Sequence, residues 1–151
     1  MDNEPICKIN GVGTKSWRLN GVLHREDGPA VELKNGDRRW YFNGYIHRLD
    51  GPAIEYKNGD TMWIKDGVEH REDGPAFEYK NGEKHWFING ERHRLDGPAC
   101  VYPDMVSSWH INGHRVTTQI TKWAKDNGID LDNLTEVDKA LIKIVWADYG
   151  K

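Results

Sequence analysis

The chain has 151 residues, 37% of them hydrophobic and 30% charged, with a net charge of -3, a pI near 6.2 and a mean hydropathy of -0.81. Seven Trp, six Tyr and three Phe, beside 16 Gly, give too many aromatics for a disordered chain. The acidic balance gives no electrostatic basis for holding duplex DNA, and no run approaches the roughly 18 apolar residues of a membrane span.

Met1–Pro5 lacks the basic and apolar regions of an export signal, so the expectation is a cytoplasmic protein. Cys7 and Cys100 have neither metal-site nor disulfide-framework spacing, and both are expected to be packing thiols. After a degenerate half-unit ending at Gly13, a 23-residue period begins. It sets Trp at Trp17, Trp40, Trp63, Trp86 and Trp109. Asn20-Gly21 returns as Asn43-Gly44, Asp66-Gly67, Asn89-Gly90 and Asn112-Gly113. His24-Arg25 returns as His47-Arg48, His70-Arg71 and His93-Arg94, and Asp-Gly-Pro-Ala begins at Asp27, Asp50, Asp73 and Asp96. Four full units run from 17 to 108. In the fifth, His114-Arg115 falls two positions early, which reads as a unit leaving the pattern.

Within a unit, Lys57-Asn58-Gly59 separates two alternating runs, the pattern of a hairpin with a type I′ turn. That turn would place Ile54 opposite Trp63, Glu55 opposite Met62, Val31 opposite Trp40 and Phe77 opposite Trp86. Val31/Leu33, Ile54/Tyr56 and Phe77/Tyr79 then share one face and Glu32, Glu55 and Glu78 the other. From Asn43 to Pro52 the expectation is a connection with a second turn at Asn43-Gly44 and a reversal at Asp50-Gly51-Pro52. The hairpins should stack into one elongated antiparallel sheet, because a single unit cannot bury its own apolar face. Units two and four read His-Arg-Leu-Asp where one and three read His-Arg-Glu-Asp. Either a two-unit block was duplicated, or Leu49 and Leu95 face something buried.

Helical patterning starts after Gly113. Thr117 to Asn127 forms an amphipathic helix with Ile120, Trp123 and Ala124 on one side, stopped by Gly128. Thr135 and Asp138 resemble a capping box for a second helix reaching about Tyr149. Val137, Leu141, Ile144, Val145 and Asp148 fall near one face, widened by Ala140, Ile142, Trp146 and Tyr149. The expected organisation is a mainly β hairpin-repeat domain over 1–116 with a C-terminal two-helix cap over 117–151. The cap would bury the open end of the sheet, while its broad apolar stripe keeps a homodimer through the last helix open.

Four copies of His-Arg-x-Asp are the main polar feature. A structural metal site needs three or four converging ligands, so no metal or other cofactor is expected. Residues repeated in every unit serve the fold first, with Arg paired to Asp or to the Glu of its own unit. As a binding surface, His47, His70, His93, Arg48, Arg71 and Arg94 beside aromatics could stack a base and hold phosphate. Specific contacts should fall where units differ, which adds Tyr41, Tyr45, Arg38, Arg39, His85, Arg92 and His110. No phosphate loop, GxSxG or HExxH occurs, which leaves an enzyme using inter-repeat His70, His93 and Asp as the weakest reading.

The unit Trp-x-x-Asn-Gly-x-x-His-Arg-x-Asp-Gly-Pro-Ala, from Trp17 to Gly113, resembles MORN repeats in length and hairpin design. Its Asp-Gly-Pro-Ala signature is similar to the DGPA-type MORN-like repeats of bacteriophage and large-virus proteins. The resemblance implies a small accessory viral protein, acting without catalysis in the host cytoplasm. The function expected is counter-defence, by sequestering a small phosphorylated ligand of nucleotide type or by blocking a host protein. A protein-interaction scaffold dimerising through the C-terminal helices is the alternative.

Overall fold

The computed structural model describes residues 4–150, and it is mainly β with two C-terminal helices. Each unit contributes two hairpins rather than one. The first joins a ten-stranded antiparallel sheet whose spatial order follows the chain from Ile6–Ile9 to Cys100–Val101. The second is a tight hairpin, such as Tyr41–Phe42 with Tyr45–Ile46 or Ile64–Lys65 with Val68–Glu69. These small hairpins bond to one another in a second row. Arg48 N–H donates to Ile64 O and Gly67 N–H to Ile46 O. The segment expected as a mere connection is therefore a second tier of β structure.

The two Asn-Gly turns have exchanged roles relative to the sequence expectation. At Asn43-Gly44 both residues have positive φ, 48° and 87°, and the loop has two residues, so this is the type I′ turn. At Lys57-Asn58-Gly59 only Gly59 is left-handed, at 99°. Tyr56 N–H donates to Asp60 O, and Asn58 Oδ1 accepts from Asp60 N–H. That is a three-residue turn with a glycine bulge, favoured because the Asn side chain satisfies the backbone locally. The longer loop moves the register by one. Ile54 pairs with Met62 and Glu55 with Thr61, Val31 with Arg39, and Phe77 with His85. The expected pairings of Ile54 with Trp63, Glu55 with Met62, Val31 with Trp40 and Phe77 with Trp86 are corrected accordingly. Trp40, Trp63 and Trp86 leave the ladder at the junction of the two tiers, where Trp63 N–H donates to Ala76 O of its own unit, whereas Trp17 still pairs with Cys7.

Apolar burial is split. Ala53, Ile54 and Ile64 anchor one cluster with Tyr56 and Met62 in the sheet. The larger cluster holds Trp109, Ile111 and Val116 against Ile120, Ile142 and Trp146 of the helices, with Leu95, Trp123, Leu131 and Leu134 around it. Helix α1 spans Thr117–Asp126 and α2 spans Glu136–Trp146. Thr135 Oγ1 accepts from Asp138 N–H while Asp138 Oδ2 accepts from Thr135 N–H, the reciprocal cap the sequence suggested. The helices cap the last hairpin, as expected of a terminal repeat.

Unit five keeps its frame longer than the sequence suggested. Val116 N–H donates to Trp109 O as His47 N–H does to Trp40 O, so Val116 occupies the histidine position. Thr117 takes the arginine position, where its Oγ1 accepts from Trp109 N–H. His114-Arg115 is thus the return strand of the hairpin, not an early copy of the pair. Cys100 is buried, but Cys7 is exposed on the first strand and does not pack as expected.

Candidate functional site

The Asp-Gly-Pro-Ala signature is the seat of an arginine. The Arg48 guanidinium lies 4.2 Å above the centroid of Trp40. Its Nε donates to Asp50 Oδ1 at 2.9 Å, and its Nη1 donates to Glu55 Oε1 at 3.1 Å and to Pro52 O at 3.3 Å. Gly51 leaves room for it, since a Cβ there would lie 2.6 Å from Arg48 Cζ. Ala53 beneath is fully buried. Arg25 over Trp17, Arg71 over Trp63 and Arg94 over Trp86 repeat the stack at 4.0–4.1 Å. A cation over an indole contributes about 0.5–2 kcal/mol, so four stacks in series serve the fold, as the repetition implied.

The histidines lock successive units. Nδ1 of His24, His70 and His93 accepts the backbone N–H of Asn43, Asn89 and Asn112, at 3.1, 3.2 and 3.1 Å. Each donor is the left-handed residue of the next tight turn, whose N–H would otherwise go unpaired. The same Nδ1 atoms of His24 and His70 lie 2.9 Å from Asn43 Oδ1 and Asn89 Oδ1, and Nε2 of these two rings faces Glu26 and Glu72. His47 Nδ1 lies 3.1 Å from Asp66 N and 2.7 Å from its carboxylate.

Grooves remain between these loops. One, ≈ 770 Å³, runs between the Arg25–Pro29 and His47–Asp50 segments, over Trp40, Phe42 and Leu49. Phe42 is 42% exposed and Leu49 is 70% exposed. The carboxylates of Glu26, Asp27, Asp50 and Asp66 stand exposed around its mouth. A ≈ 630 Å³ groove shares Phe42 and adds Trp17, Leu19 and His24. A third of ≈ 370 Å³ lies on the other side of Leu49, over Trp63, Lys65, His70 and Arg71. Within unit five, Ile111 at the position of Phe42 is fully buried under the helices.

The sequence-derived candidates thus separate. His47, Arg48, His70 and Arg71 line grooves, but their polar atoms are already engaged. His93 and Arg94 sit beside the helical cap, with Leu95 packed on it. Tyr45 is exposed beside Gly67, and Tyr41 pairs with Ile46. Arg38 is ion-paired to Glu55, and Arg39 Nε is buried without a partner. His85 is buried among Phe77, Tyr79, Phe87 and Tyr102, with Nε2 2.6 Å from Glu83. Arg92 lies over Phe87. Ser108 Oγ touches His110 Nε2 at 3.1 Å. Burial, then the charges of Arg92, Arg115 and His85, depress His110, but Ser108 is only 6% exposed. Among the described residues, no cluster of three or more His, Cys, Asp or Glu is arranged to hold a metal. The groove residues that sequence reasoning missed are apolar: Trp40, Phe42 and Leu49. For Phe42 the signal was variation, Leu19, Phe42, Lys65, Ile88 and Ile111 sharing one position of the unit.

The arginine pairs set an acid limit. Hydrogen bonding to Arg25, Arg48 and Arg71, then their charge, holds Asp27, Asp50 and Asp73 below the usual carboxylate range. A depressed folded value contributes stability that is full above the unfolded aspartate pKa of about 3.9 and is lost as pH falls through the folded values. Urea midpoints read by circular dichroism from pH 6 to 2 should therefore hold level above pH ~4 and decline below it. The triple variant Asp27→Asn, Asp50→Asn, Asp73→Asn should flatten that decline, and an unchanged profile would remove these pairs from the acid response.

No family model, curated protein or solved structure matches the chain, so the grooves, the arginine stacks and the helical cap are the grounds for assigning function.

Proposed function

We propose that this is a non-catalytic binding protein that blocks a host protein by holding part of it in the grooves of units one to three. The observation that carries this is the exposure of Phe42 and Leu49 beside half-buried Trp40 in one ≈ 770 Å³ groove. Exposed apolar groups gathered in a concavity mark binding surfaces. Of the two expected occupants, a protein segment is favoured over a phosphorylated nucleotide. Arg25 and Arg48 at the groove are already matched by Asp27, Asp50 and Glu55, and exposed acids at the mouth would repel phosphate. The DGPA-type MORN-like resemblance adds the setting, a viral accessory protein working against host defence.

The test compares the protein with Leu49→Asp. Leu49 is exposed, so the variant should fold. Specific capture from bacterial lysate should be lost in Leu49→Asp, while calorimetry against cyclic nucleotides and ADP-ribose should show no heat. Nucleotide binding that survives the substitution would sink the protein-segment reading.

A second reading rests on α2. Its outer face exposes Val137 (76%), Ile144 (80%) and Val145 (49%), while Ile142 and Trp146 face the cap. This is the stripe on which the sequence kept dimerisation open. Light scattering should give a dimer that Ile144→Asp converts to a monomer, and a wild-type monomer at every concentration would exclude it.

A further inference from the structure

The molecule carries its own example of what a His-Arg-Leu-Asp loop accepts. Units two and four share that loop, at His47–Asp50 and His93–Asp96. Their arginine stacks match, with ring distances of 4.2 and 4.0 Å and Nε–Asp distances of 2.9 and 2.7 Å. What covers them differs. In unit four, Leu95 packs against the cluster containing Ile142 and Trp146 of α2. Lys143 of the same helix acts on Asp96. Partial burial works against ionisation there, but the Arg94 hydrogen bond and charge and the charge of Lys143 hold the carboxyl below its usual range. The Asp96 side chain is 45% exposed against 84% for Asp50. The cluster on which Leu95 packs thus includes apolar side chains of an amphipathic helix, and a lysine of that helix acts on the Asp. In unit two the same Leu is 70% exposed, with grooves on both sides.

We infer that the Leu49 ridge docks an amphipathic helix of a partner protein. That helix carries large apolar anchors for the Trp40–Phe42 groove and a Lys or Arg within one turn of them for Asp50. The inference rests on the groove reading above and names the kind of segment the groove takes. The anchors go to the Phe42 side, because on the other side Lys65 stands where the cap cradle has Ile111. The acids around the mouth favour a basic flank, and a helix in an apolar groove is a recurrent mode of recognition.

The probe is a fluorescein-labelled peptide of residues 133–149, held helical by a hydrocarbon staple replacing Val137 and Leu141. It presents Ile142, Lys143 and Trp146 on its free face. Anisotropy should show saturable binding to the full chain, weakened about tenfold or more by Leu49→Asp, as expected of a central anchor. Binding should also weaken when the peptide carries Lys143→Glu. Equal affinity for Leu49→Asp would overturn the site. Equal binding of an unstapled peptide with Ala140→Pro, which cannot be helical, would overturn the helix and leave the groove. If no peptide binds, the lysate experiment separates the two readings. Capture lost in Leu49→Asp keeps the groove and rejects the helix, whereas capture unaffected by it rejects both.

Discussion

Replacing Trp109 with alanine should cost about 3–5 kcal/mol, the range for emptying a large aromatic site in a packed core. The same change at Trp63 should cost less, although both are the same position of the repeat. Trp109 is 4% exposed and packs with Ile111, Val116, Ile120, Ile142 and Trp146. Trp63 is half-buried, and the guanidinium of Arg71 is part of its cover. Removing Trp109 leaves a void that α1 and α2 cannot close without leaving the sheet. Contacts in a stacked array pass only between neighbours, so the damage should stay local. Hydrogen exchange should show α2 amides losing protection while the Ile54–Met62 ladder keeps most of its own. Uniform loss along the chain, or a cost no larger than that of Trp63→Ala, would contradict a separate helical core.

The period, the stacked sheet and the helical cap were legible because they depend on repetition and on helical spacing. Register was not legible, and the cause is local. Asn-Gly occurs twice in units one and two and specifies different turns in the two places. At 43–44 the strands meet across two residues. At 57–59 the Asn58 side chain and Asp60 close a three-residue loop. One extra loop residue moves Trp40, Trp63 and Trp86 from the strand pairs to the junctions, and Trp40 with it onto the side of Glu55, where Arg48 reaches both. The arginine and histidine roles were partly legible, because a residue present in every unit had to serve what every unit shares. The groove was not, because its floor is apolar and a sequence search for chemistry looks for polar groups. Leu49 was the one hint. Its pairing with Leu95 raised burial for both, and only Leu95 is covered.

Gly51→Ala and Arg48→Ala should be strongly coupled, and their cycle tests the arginine seat directly. Alone, Gly51→Ala places a Cβ 2.6 Å from Arg48 Cζ and 2.9 Å from Nε. The guanidinium has little room to retreat, being held over Trp40 and bonded to Asp50, Pro52 and Glu55. Overpacking of this kind costs about 1–3 kcal/mol. Arg48→Ala alone gives up the ring stack and the Glu55 bond, about 1–2 kcal/mol. Glu55 keeps Arg38 at 2.9 Å, and Asp50 is exposed to water, so no buried charge is orphaned. In the Arg48→Ala background the clash is gone. Gly51 is not left-handed, so alanine fits there without strain and restricts the unfolded chain. The second substitution should then stabilise by about 0.4–1 kcal/mol. Urea denaturation of the four proteins reads the reversal of sign. If Gly51→Ala costs the same in both backgrounds, Asp-Gly-Pro-Ala is not built around the arginine, and the glycine must answer to some other constraint of the turn.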